Sequence, residues 1–167
     1  MSAEEHRATS PTQLRVGLVT ISDTRTEATD TAGQAARALI EAAGHSLTAY
    51  RILRDEPVEV EAHLRRLCAS GNVDAIITAG GTGVSSRDRS FEAVTRVLER
   101  ELTGFGELFR MLSFAEIGAA AMLSRATAGL AGRVAIFSCP GSAAAVRLAL
   151  QRLILPELGH LVREARR

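Results

Sequence analysis

The chain contains 167 residues with a mass of 17.8 kDa, the size of one ordinary domain. Apolar residues make up 46% and charged residues 23%, a balance that excludes an intrinsically disordered chain. The formal charge of +1 lacks the basic excess of a general nucleic-acid-binding protein. Arginine supplies all 20 basic side chains, which excludes mechanisms that use a lysine Schiff base or a lysyl-nucleotide intermediate.

No segment predicts a targeting signal, a membrane span or a zinc site. Residues 1–11 mix acidic and basic side chains without the apolar core of a signal peptide, and no apolar run reaches the ~18–20 residues of a span. Cys68 and Cys139 form no C-x-x-C pair, and the histidines show no metal-ligand spacing. We therefore expect a cytoplasmic protein with two buried thiols, a flexible segment over 1–13 and a single domain over 14–167.

Strand, loop and helix alternate through the first half of the chain. Residues 15–21 form a continuous apolar run that is typical of a buried parallel strand. Asp30 is placed to cap a helix that ends at Gly44. A second strand is predicted over 47–53, and the residues 55–57 begin a second helix with a proline in its first turn.

The second half continues this alternation and adds a hairpin. Residues 125–130 and 133–138 predict two short strands joined by Ala131-Gly132, a spacing that permits an antiparallel pair. The other predicted elements are a strand over 73–78, a helix over 90–101, glycines at 104 and 106 that interrupt the chain, a helix over 107–123, and a last pair of helices after Ser142 that is interrupted near Pro156. The pattern predicts a three-layer α/β/α, Rossmann-like fold with a mostly parallel open sheet and one antiparallel strand.

In such a sheet, ligands bind beyond the carboxyl ends of the strands, where the strand order reverses. The segments that follow predicted strands, and should therefore meet there, are 20–24, 54–57, 78–88 and 139–142. Gly80-Gly81-Thr82-Gly83 either brings backbone N–H groups close to a phosphate or forms a tight turn with positive φ. The loop has neither the lysine of a Walker A motif nor the spacing of a dinucleotide fingerprint.

Charged and capping residues in these segments point to an anionic ligand with a cation. Pro140-Gly141-Ser142 is either a second anion site at a helix start or a simple N-cap. Aspartates beside a phosphate-binding loop would repel the ligand unless a cation such as Mg²⁺ intervenes, although each alone can be a cap or an ion-pair partner. These aspartates are Asp23, Asp30, Asp55 and Asp88. The combination predicts a magnesium-nucleotide or pyrophosphate-bearing ligand.

Two further groups of side chains have open roles. The arginines either clamp phosphates or lie on the solvated surface; they are Arg25, Arg54, Arg87 and Arg89. The large apolar side chains are core, a lid over a flat ring or a subunit contact; they are Phe105, Phe109, Met111 and Phe114.

Five short motifs follow one another along the chain: Ser22-Asp23-Thr24-Arg25, Asp30-Thr31-Ala32-Gly33, Thr78-Ala79-Gly80-Gly81-Thr82-Gly83, Arg87-Asp88 and Pro140-Gly141-Ser142. In order and spacing they resemble the MoaB/MogA family of molybdenum cofactor biosynthesis. The segment 104–118, with Ser124-Arg125-Ala126, is similar to the MoaB branch in particular. The resemblance spans residues 15–161 and implies a MoaB/MogA-like fold.

The resemblance implies that the protein binds molybdopterin, a pterin with a dithiolene and a terminal phosphate. It implies transfer of AMP from Mg-ATP to that phosphate with release of pyrophosphate, and it assigns Asp55 and Asp88 as catalytic carboxylates and ligands of Mg²⁺. The implied binding residues are Ser22, Asp23, Gly80, Gly81, Thr82, Gly83, Ser113, Pro140, Gly141 and Ser142. It also implies a homo-oligomer, either a trimer or a hexamer, and leaves open a contact with other proteins of the pathway.

The chain departs from the family pattern at a few positions. Ala32 stands where the family usually has serine, and residues 89–92 read Arg-Ser-Phe-Glu instead of Val-Thr-Pro-Glu. Because Phe91 removes a rigid helix start and Arg89 adds a charge beside the expected metal, a non-catalytic molybdopterin carrier is the alternative function. A phosphate-ester hydrolase is the least favoured reading, since no histidine lies in the rim segments to act as a base.

Overall fold

The computed structural model describes residues 10–167. Residues 1–9 of the segment that we predict to be flexible lie outside the described residues. Within the described part, Ser10 and Pro11 are half-buried, and the Pro11 carbonyl lies against Gly159 near the C-terminus. The flexible segment and the domain boundary at residue 14 stay predictions.

One mostly parallel sheet organises the chain, as predicted, but it has six strands where the sequence predicts five. Its strands are β1 (Arg15–Ile21), β2 (Ser46–Leu53), β3 (Ala75–Ala79), β4 (Arg100–Glu101), β5 (Thr127–Ala131) and β6 (Val134–Cys139). They lie in the order β2-β1-β3-β6-β5-β4; the first four are parallel, and β5 runs antiparallel to both of its neighbours. The strand order reverses between β1 and β3, so a ligand-binding rim is expected at their carboxyl ends.

Helices cover both faces of the sheet, which confirms the three-layer architecture. They are α1 (Thr31–Ala42), α2 (Pro57–Ala69), α3 (Ser90–Val97), α4 (Thr103–Ile117), α5 (Ala143–Ala149) and α6 (Leu155–Ala165), with a 3₁₀ helix at Gly118–Leu123 and a π-helical segment at Leu150–Ile154. Side chains alternate along β3, so Ile77 packs with the layer of α1, α5 and α6 while Ile76 packs with α2 and α3. The central strands β1, β3, β5 and β6 are therefore buried on both faces, as their continuous apolar runs require, whereas the edge strands β2 and β4 are partly or fully exposed.

The core contains some of the side chains whose roles the sequence leaves open. Phe105 and Phe109 are buried in the layer that holds α4, whereas Met111 and Phe114 are exposed. Cys139 is fully buried and Cys68 half-buried, and both are free thiols. Burial raises the pKa of Cys68 and raises that of Cys139 to about 12, so neither is a reactive thiolate near neutral pH.

The helix predicted over 90–101 is wrong at its C-terminal end. α3 stops at Val97, and residues 100–101 form β4 instead. The N–H group of Glu99 donates to the Leu130 carbonyl at 2.8 Å, so hydrogen bonds to the open edge of the sheet replace helical ones. This competition depends on a strand far along the chain, and a local pattern does not contain it.

Of two expected interruptions of helices, one does not occur and the other does. α4 begins at Thr103 and runs through the glycines at 104 and 106. A Cβ atom on Gly106 would lie 2.6 Å from the Ala126 carbonyl oxygen, so this glycine lets the helix pack closely on the adjoining chain. The interruption near Pro156 is confirmed: a π-helical segment at Leu150–Ile154 separates α5 from α6, and Pro156 lies in the first turn of α6, where its missing N–H is tolerated.

Candidate functional site

The loops that follow the parallel strands are joined to one another at one rim of the sheet. The Gly80 N–H donates to the Cys139 carbonyl at 2.9 Å, which links the ends of β3 and β6. The Ser22 N–H donates to the Leu53 carbonyl at 2.8 Å, which links the ends of β1 and β2. Gly141 lies against Gly80, because a Cβ atom on Gly141 would be 3.2 Å from the Gly80 Cα atom. The four rim segments therefore converge as expected.

The glycine loop needs its glycines for backbone geometry. Gly80 has φ +115° and Gly81 has φ +70°, conformations that side chains with a Cβ atom rarely adopt. A Cβ atom on Gly80 would also overlap the Ile21 carbonyl oxygen, and one on Gly81 would lie 2.8 Å from the Ser90 Cβ atom. The tight-turn interpretation is therefore correct, and it is compatible with a binding role.

The same loop leaves backbone donors available to a ligand. Its carbonyl groups are engaged: Phe91 donates to that of Gly81, and Arg125 donates to those of Thr82 and Gly83. By contrast, no hydrogen bond within residues 10–167 uses the N–H groups of Gly81, Thr82 or Gly83. An anion that approaches the loop is one partner that such unpaired N–H groups can bind.

Asp55 lies beneath the glycine loop with one carboxylate oxygen committed to the protein. Its Oδ1 atom accepts hydrogen bonds from the Arg89 N–H at 3.1 Å and the Ser90 hydroxyl at 2.6 Å. It thereby satisfies donors at the start of α3, a capping role exerted from a distant loop. Its Oδ2 atom faces Gly81, since a Cβ atom there would be 3.2 Å away. This second oxygen is the part of Asp55 that can serve a ligand.

Asp88 lies beside Gly83, at the end of the same loop. A Cβ atom on Gly83 would be 2.6 Å from the Asp88 Oδ2 atom, so the carboxylate packs directly on the loop backbone. The same oxygen accepts a hydrogen bond from the Ser85 N–H at 3.1 Å. Asp55 and Asp88 therefore contact the same glycine loop, Asp55 at Gly81 and Asp88 at Gly83.

Asp23 joins two of the rim loops to each other. Its Oδ1 atom accepts a hydrogen bond from the Asp55 N–H at 3.2 Å, and its Oδ2 atom forms an ion pair with Arg87. The Arg87 guanidinium, with the Asp55 N–H, holds the pKa of Asp23 below its usual range. Arg87 is thus an exposed side chain that pairs with Asp23 and joins the loop after β3 to the loop after β1.

Arg125 is a site residue that sequence reasoning missed. It precedes β5, and its side chain reaches the glycine loop: Nε donates to the Gly83 carbonyl at 2.9 Å and Nη2 to the Asp88 carbonyl at 2.7 Å. The only signal in the sequence is its place in the Ser124-Arg125-Ala126 motif. No local pattern predicts this contact, because β5 lies beyond β6 in the sheet.

Asp30 has a structural role, as one of the two sequence interpretations held. It is fully buried and caps α1 by accepting from the Gly33 N–H at 2.9 Å. It also accepts from the Thr20 hydroxyl at 2.6 Å and the Tyr50 hydroxyl at 2.7 Å. Burial and this hydrogen bond raise the pKa of the Tyr50 phenol. All these donors belong to the protein, so Asp30 is satisfied without a ligand.

Two other predicted binding residues are less directly placed. Ser142 caps α5, since its hydroxyl accepts from the Ala145 N–H at 3.1 Å. Ser113 is buried on α4, which is not one of the rim loops. Their roles in binding stay predictions, as do those of Ser22 and Pro140.

A cleft of about 680 Å³ lies beside residues 84–89, which follow the glycine loop; its lining includes Asp88 and Arg125 but neither Asp55 nor residues 80–83. A second cleft of about 660 Å³ lies at the amino ends of the strands, and a third of about 730 Å³ lies between α4 and α6. Volume therefore does not single out a site. The rim is distinguished from the other clefts by its polar groups: the unpaired N–H groups of the glycine loop and the carboxylates of Asp55 and Asp88 beside it.

The donor set at the rim fits a magnesium ion that arrives with its ligand. Asp55 Oδ2 and the Asp88 carboxylate offer oxygen atoms, which Mg²⁺ prefers. Within residues 10–167, no group of three or more His, Cys, Asp or Glu side chains could hold a metal without other ligands. Mg²⁺ usually binds one or two carboxylates together with substrate phosphates and water, so this site suits a magnesium-nucleotide rather than a resident ion.

Fold, rim loops and sequence agree on one class of protein. A family model described as a probable molybdopterin binding domain matches residues 17–160. The chain belongs to this family, and the resemblance drawn from its motifs is confirmed.

Particular relatives match over nearly their whole length. Molybdenum cofactor biosynthesis protein B of Bacillus cereus is 49% identical over 168 aligned residues, which cover 100% of this chain and 99% of the relative. A crystal structure of a molybdenum cofactor biosynthesis protein B superposes with a TM-score of 0.91 at 48% identity, covering 95% of this chain and 99% of that one. The molybdopterin biosynthesis enzyme MoaB of Thermus thermophilus gives a TM-score of 0.81 at 35% identity, covering 91% and 96%.

Across residues 10–167, every helix is too short or too polar to span a bilayer.

Proposed function

We propose that this protein acts in molybdenum cofactor biosynthesis by binding molybdopterin and transferring AMP from Mg-ATP to its terminal phosphate, with release of pyrophosphate. One observation carries the proposal: a loop whose Gly81, Thr82 and Gly83 N–H groups have no partner within residues 10–167 contacts the carboxylates of both Asp55 and Asp88. The names of the relatives support the pathway, and the rim supports the chemistry.

The reaction asks for positioning rather than for a covalent enzyme intermediate. An oxygen of the molybdopterin phosphate attacks the α-phosphorus of ATP, and the bond between that phosphorus and the bridging oxygen of the β-phosphate breaks. Pyrophosphate leaves with the electron pair of that bond. The attacking phosphate is already ionised near neutral pH, so no general base is required, and the absence of lysine is consistent with direct transfer.

We assign each part of the rim a role in that transfer. The N–H groups of the glycine loop bind a phosphate, and the Asp23–Arg87 pair lies where the nucleotide enters. Asp55 and Asp88 hold Mg²⁺, which when bound neutralises charge on the transferring phosphates. Ser22, Pro140, Gly141, Ser142 and Ser113 complete the proposed binding residues.

We also propose that the protein works as a homo-oligomer in the cytoplasm, as a trimer or a hexamer. Large apolar side chains on α4 and the following 3₁₀ helix are exposed, which monomeric proteins usually avoid in a contiguous patch. They are Met111, Phe114, Ile117, Met122 and Leu123. Sedimentation of the purified protein measures the number of subunits, and a monomer at micromolar concentration would contradict this proposal.

Pyrophosphate release tests the activity. The protein is mixed with molybdopterin, ATP and MgCl₂, and pyrophosphate and adenylyl-molybdopterin are followed together. Asp88→Asn should lower the rate at least ~100-fold, because loss of a carboxylate in this position removes transition-state stabilisation of that order. Glu41→Gln is the matched control, since this exposed carboxylate lies in the last turn of α1, at the opposite end of that helix from the rim, and its loss should leave the rate unchanged.

One specific observation favours a non-catalytic molybdopterin carrier as the second candidate. Asp55 already has Oδ1 engaged by the Arg89 N–H and the Ser90 hydroxyl, so part of its capacity for a metal is used by the protein. Tight molybdopterin binding with no pyrophosphate release from the wild-type chain would establish the carrier and refute the transfer.

A further inference from the structure

We propose that Arg125 is a positioning residue that holds the glycine loop and Asp88 in the arrangement that binds the ligand; this inference rests on the proposed function. Three carbonyl groups of one loop accept hydrogen bonds from this single residue. The Arg125 N–H donates to Thr82 at 3.0 Å, Nε to Gly83 at 2.9 Å and Nη2 to Asp88 at 2.7 Å.

Few other interactions determine the position of this loop. Between residues 82 and 88, the remaining described hydrogen bonds are internal, such as those between Ser85 and Asp88, apart from the Arg87 ion pair with Asp23. Val84 is 66% exposed and gives the loop no apolar anchor. The loop is therefore held at its base by Arg125 and at its tip by one surface ion pair, and surface ion pairs contribute little stability.

Arg125 is itself held in place by α3. Its guanidinium stacks over the Phe91 ring at 4.6 Å from the centroid, and Nη1 forms an ion pair with Glu92. Stacking on an aromatic face and a planar fork of donors are properties that lysine does not share. A half-buried arginine with five directed donors can thus orient two loop carbonyl groups at once.

This arrangement gives a physical meaning to one departure from the family pattern. Phe91 stands where the family usually has proline, which by itself removes a rigid start to the helix. In the structure the Phe91 ring stacks against the Arg125 guanidinium, which donates hydrogen bonds to the loop. Asp55 meanwhile secures the start of the same helix through the Arg89 N–H. The replacement of proline by Phe91 therefore removes one source of rigidity at the start of α3 but supplies another, the stacking contact that holds Arg125 against the loop.

The action of Arg125 on the reaction is indirect. Its donors bind the backbone carbonyl groups of Gly83 and Asp88, so it fixes the backbone that carries the loop N–H groups and the Asp88 side chain. Misplacement of a reacting group by about 1 Å can cost ~100-fold in rate. Loss of Arg125 should accordingly lower kcat much more than it raises the KM for ATP.

The experiment compares Arg125→Lys and Arg125→Ala with Arg100→Ala in the full chain. Arg100 is an exposed arginine that also donates to a backbone carbonyl, that of Gly132, at the opposite end of the sheet. We expect kcat for pyrophosphate release to fall ~10–100-fold in both Arg125 variants, with KM for ATP changed less than about threefold. Millimolar guanidinium should restore part of the rate to Arg125→Ala only, and Arg100→Ala should match the wild type.

A second measurement does not depend on catalysis. Amide hydrogen exchange of residues 80–88 should become at least ~10-fold faster in Arg125→Ala and remain unchanged in Arg100→Ala. The reason is that the loop opens locally when the hydrogen bonds from the Arg125 side chain are removed. Phe91→Leu, which removes only the stacking partner, should give an intermediate acceleration. If exchange in the loop is unchanged, the positioning role is refuted whether or not the wild-type protein releases pyrophosphate. If exchange accelerates but the wild type has no activity, the role of Arg125 stands and the proposed transfer fails.

Discussion

Two buried aspartates at opposite ends of the sheet illustrate different uses of a carboxylate. Asp74 lies at the amino end of β3 and is 6% exposed; Asp55 lies at the carboxyl rim and is 7% exposed. Asp74 accepts hydrogen bonds at 2.7 Å from the guanidinium groups of both Arg15 and Arg166, and so connects the C-terminal helix to the sheet. Asp55 receives only neutral donors, on one of its two oxygens.

The difference teaches how a structural carboxylate is distinguished from one that can serve a ligand. Burial alone would raise the pKa of Asp74, but the hydrogen bonds and charges of Arg15 and Arg166 hold it below its ordinary value. Both oxygens of Asp74 are satisfied within the protein. Asp55 keeps Oδ2 beside the glycine loop without a protein cation on that oxygen, which leaves room for a cation that comes with the ligand.

Matched substitutions at these two aspartates should separate activity from stability, and this is the largest effect that we expect. Asp55→Asn keeps an oxygen that can accept from the Ser90 hydroxyl, so its unfolding free energy should change by about 1 kcal/mol or less, while pyrophosphate release falls at least ~100-fold. Asp74→Asn should leave the rate unchanged but lower the unfolding free energy by about 2 kcal/mol. This loss is smaller than the free energy usually lost when a buried ion pair is broken. The side chains of both arginines are more than 40% exposed, so solvent screens their charges.

Urea unfolding and initial rates measured on the same preparations check both variants. If the two substitutions reduced activity and stability in parallel, the contrast between a structural and a ligand-binding carboxylate would be wrong.

The pH dependence of unfolding sharpens the same contrast. A carboxylate whose pKa is lowered by folding stabilises the native state above its unfolded pKa of about 3.9, and this contribution is lost as pH falls through the native pKa. The stability difference between wild type and Asp74→Asn should therefore be complete at pH 7 and shrink at pH values below ~4. A difference that stays constant down to pH 3 would show that the Arg15 and Arg166 contacts do not act through the charge of Asp74.

A smaller effect is expected at the mouth of the site. Asp23→Asn keeps an oxygen that accepts the Asp55 N–H but removes the charge that holds Arg87. The freed guanidinium should favour the phosphates of ATP, so KM for ATP should fall about threefold at low ionic strength and less at high salt. Arg87→Ala is the reciprocal variant and should raise KM. A fall in KM in both variants would indicate that Arg87 obstructs the site instead of binding the nucleotide.

Much of the fold can be predicted from short stretches of the sequence. The apolar run at 15–21, the cap at Asp30 and the left-handed glycine at 44 each act within about one helical turn or one strand, and each was predicted correctly. The convergence of the rim loops also follows from alternating strands and helices, because right-handed crossovers bring the carboxyl ends of parallel strands to one edge.

The glycine loop was predicted only in part from the sequence. Its position after β3 and its need for glycine are evident from the sequence, which leaves both a turn and an anion site open. The structure adds that its carbonyl groups are engaged while three successive N–H groups are free of partners within the described residues.

By itself, the sequence of this protein determined the order of its strands and helices apart from β4, the family to which it belongs and the loops that meet at the rim, since these depend on neighbouring residues and on general rules of chain connection. Only the tertiary structure decided that residues 100–101 pair as a strand, that Asp55 caps a helix begun more than 30 residues later, and that Arg125 orders the glycine loop. Those contacts join residues far apart in the chain, and their free energy arises only when the folded sheet brings donor and acceptor together.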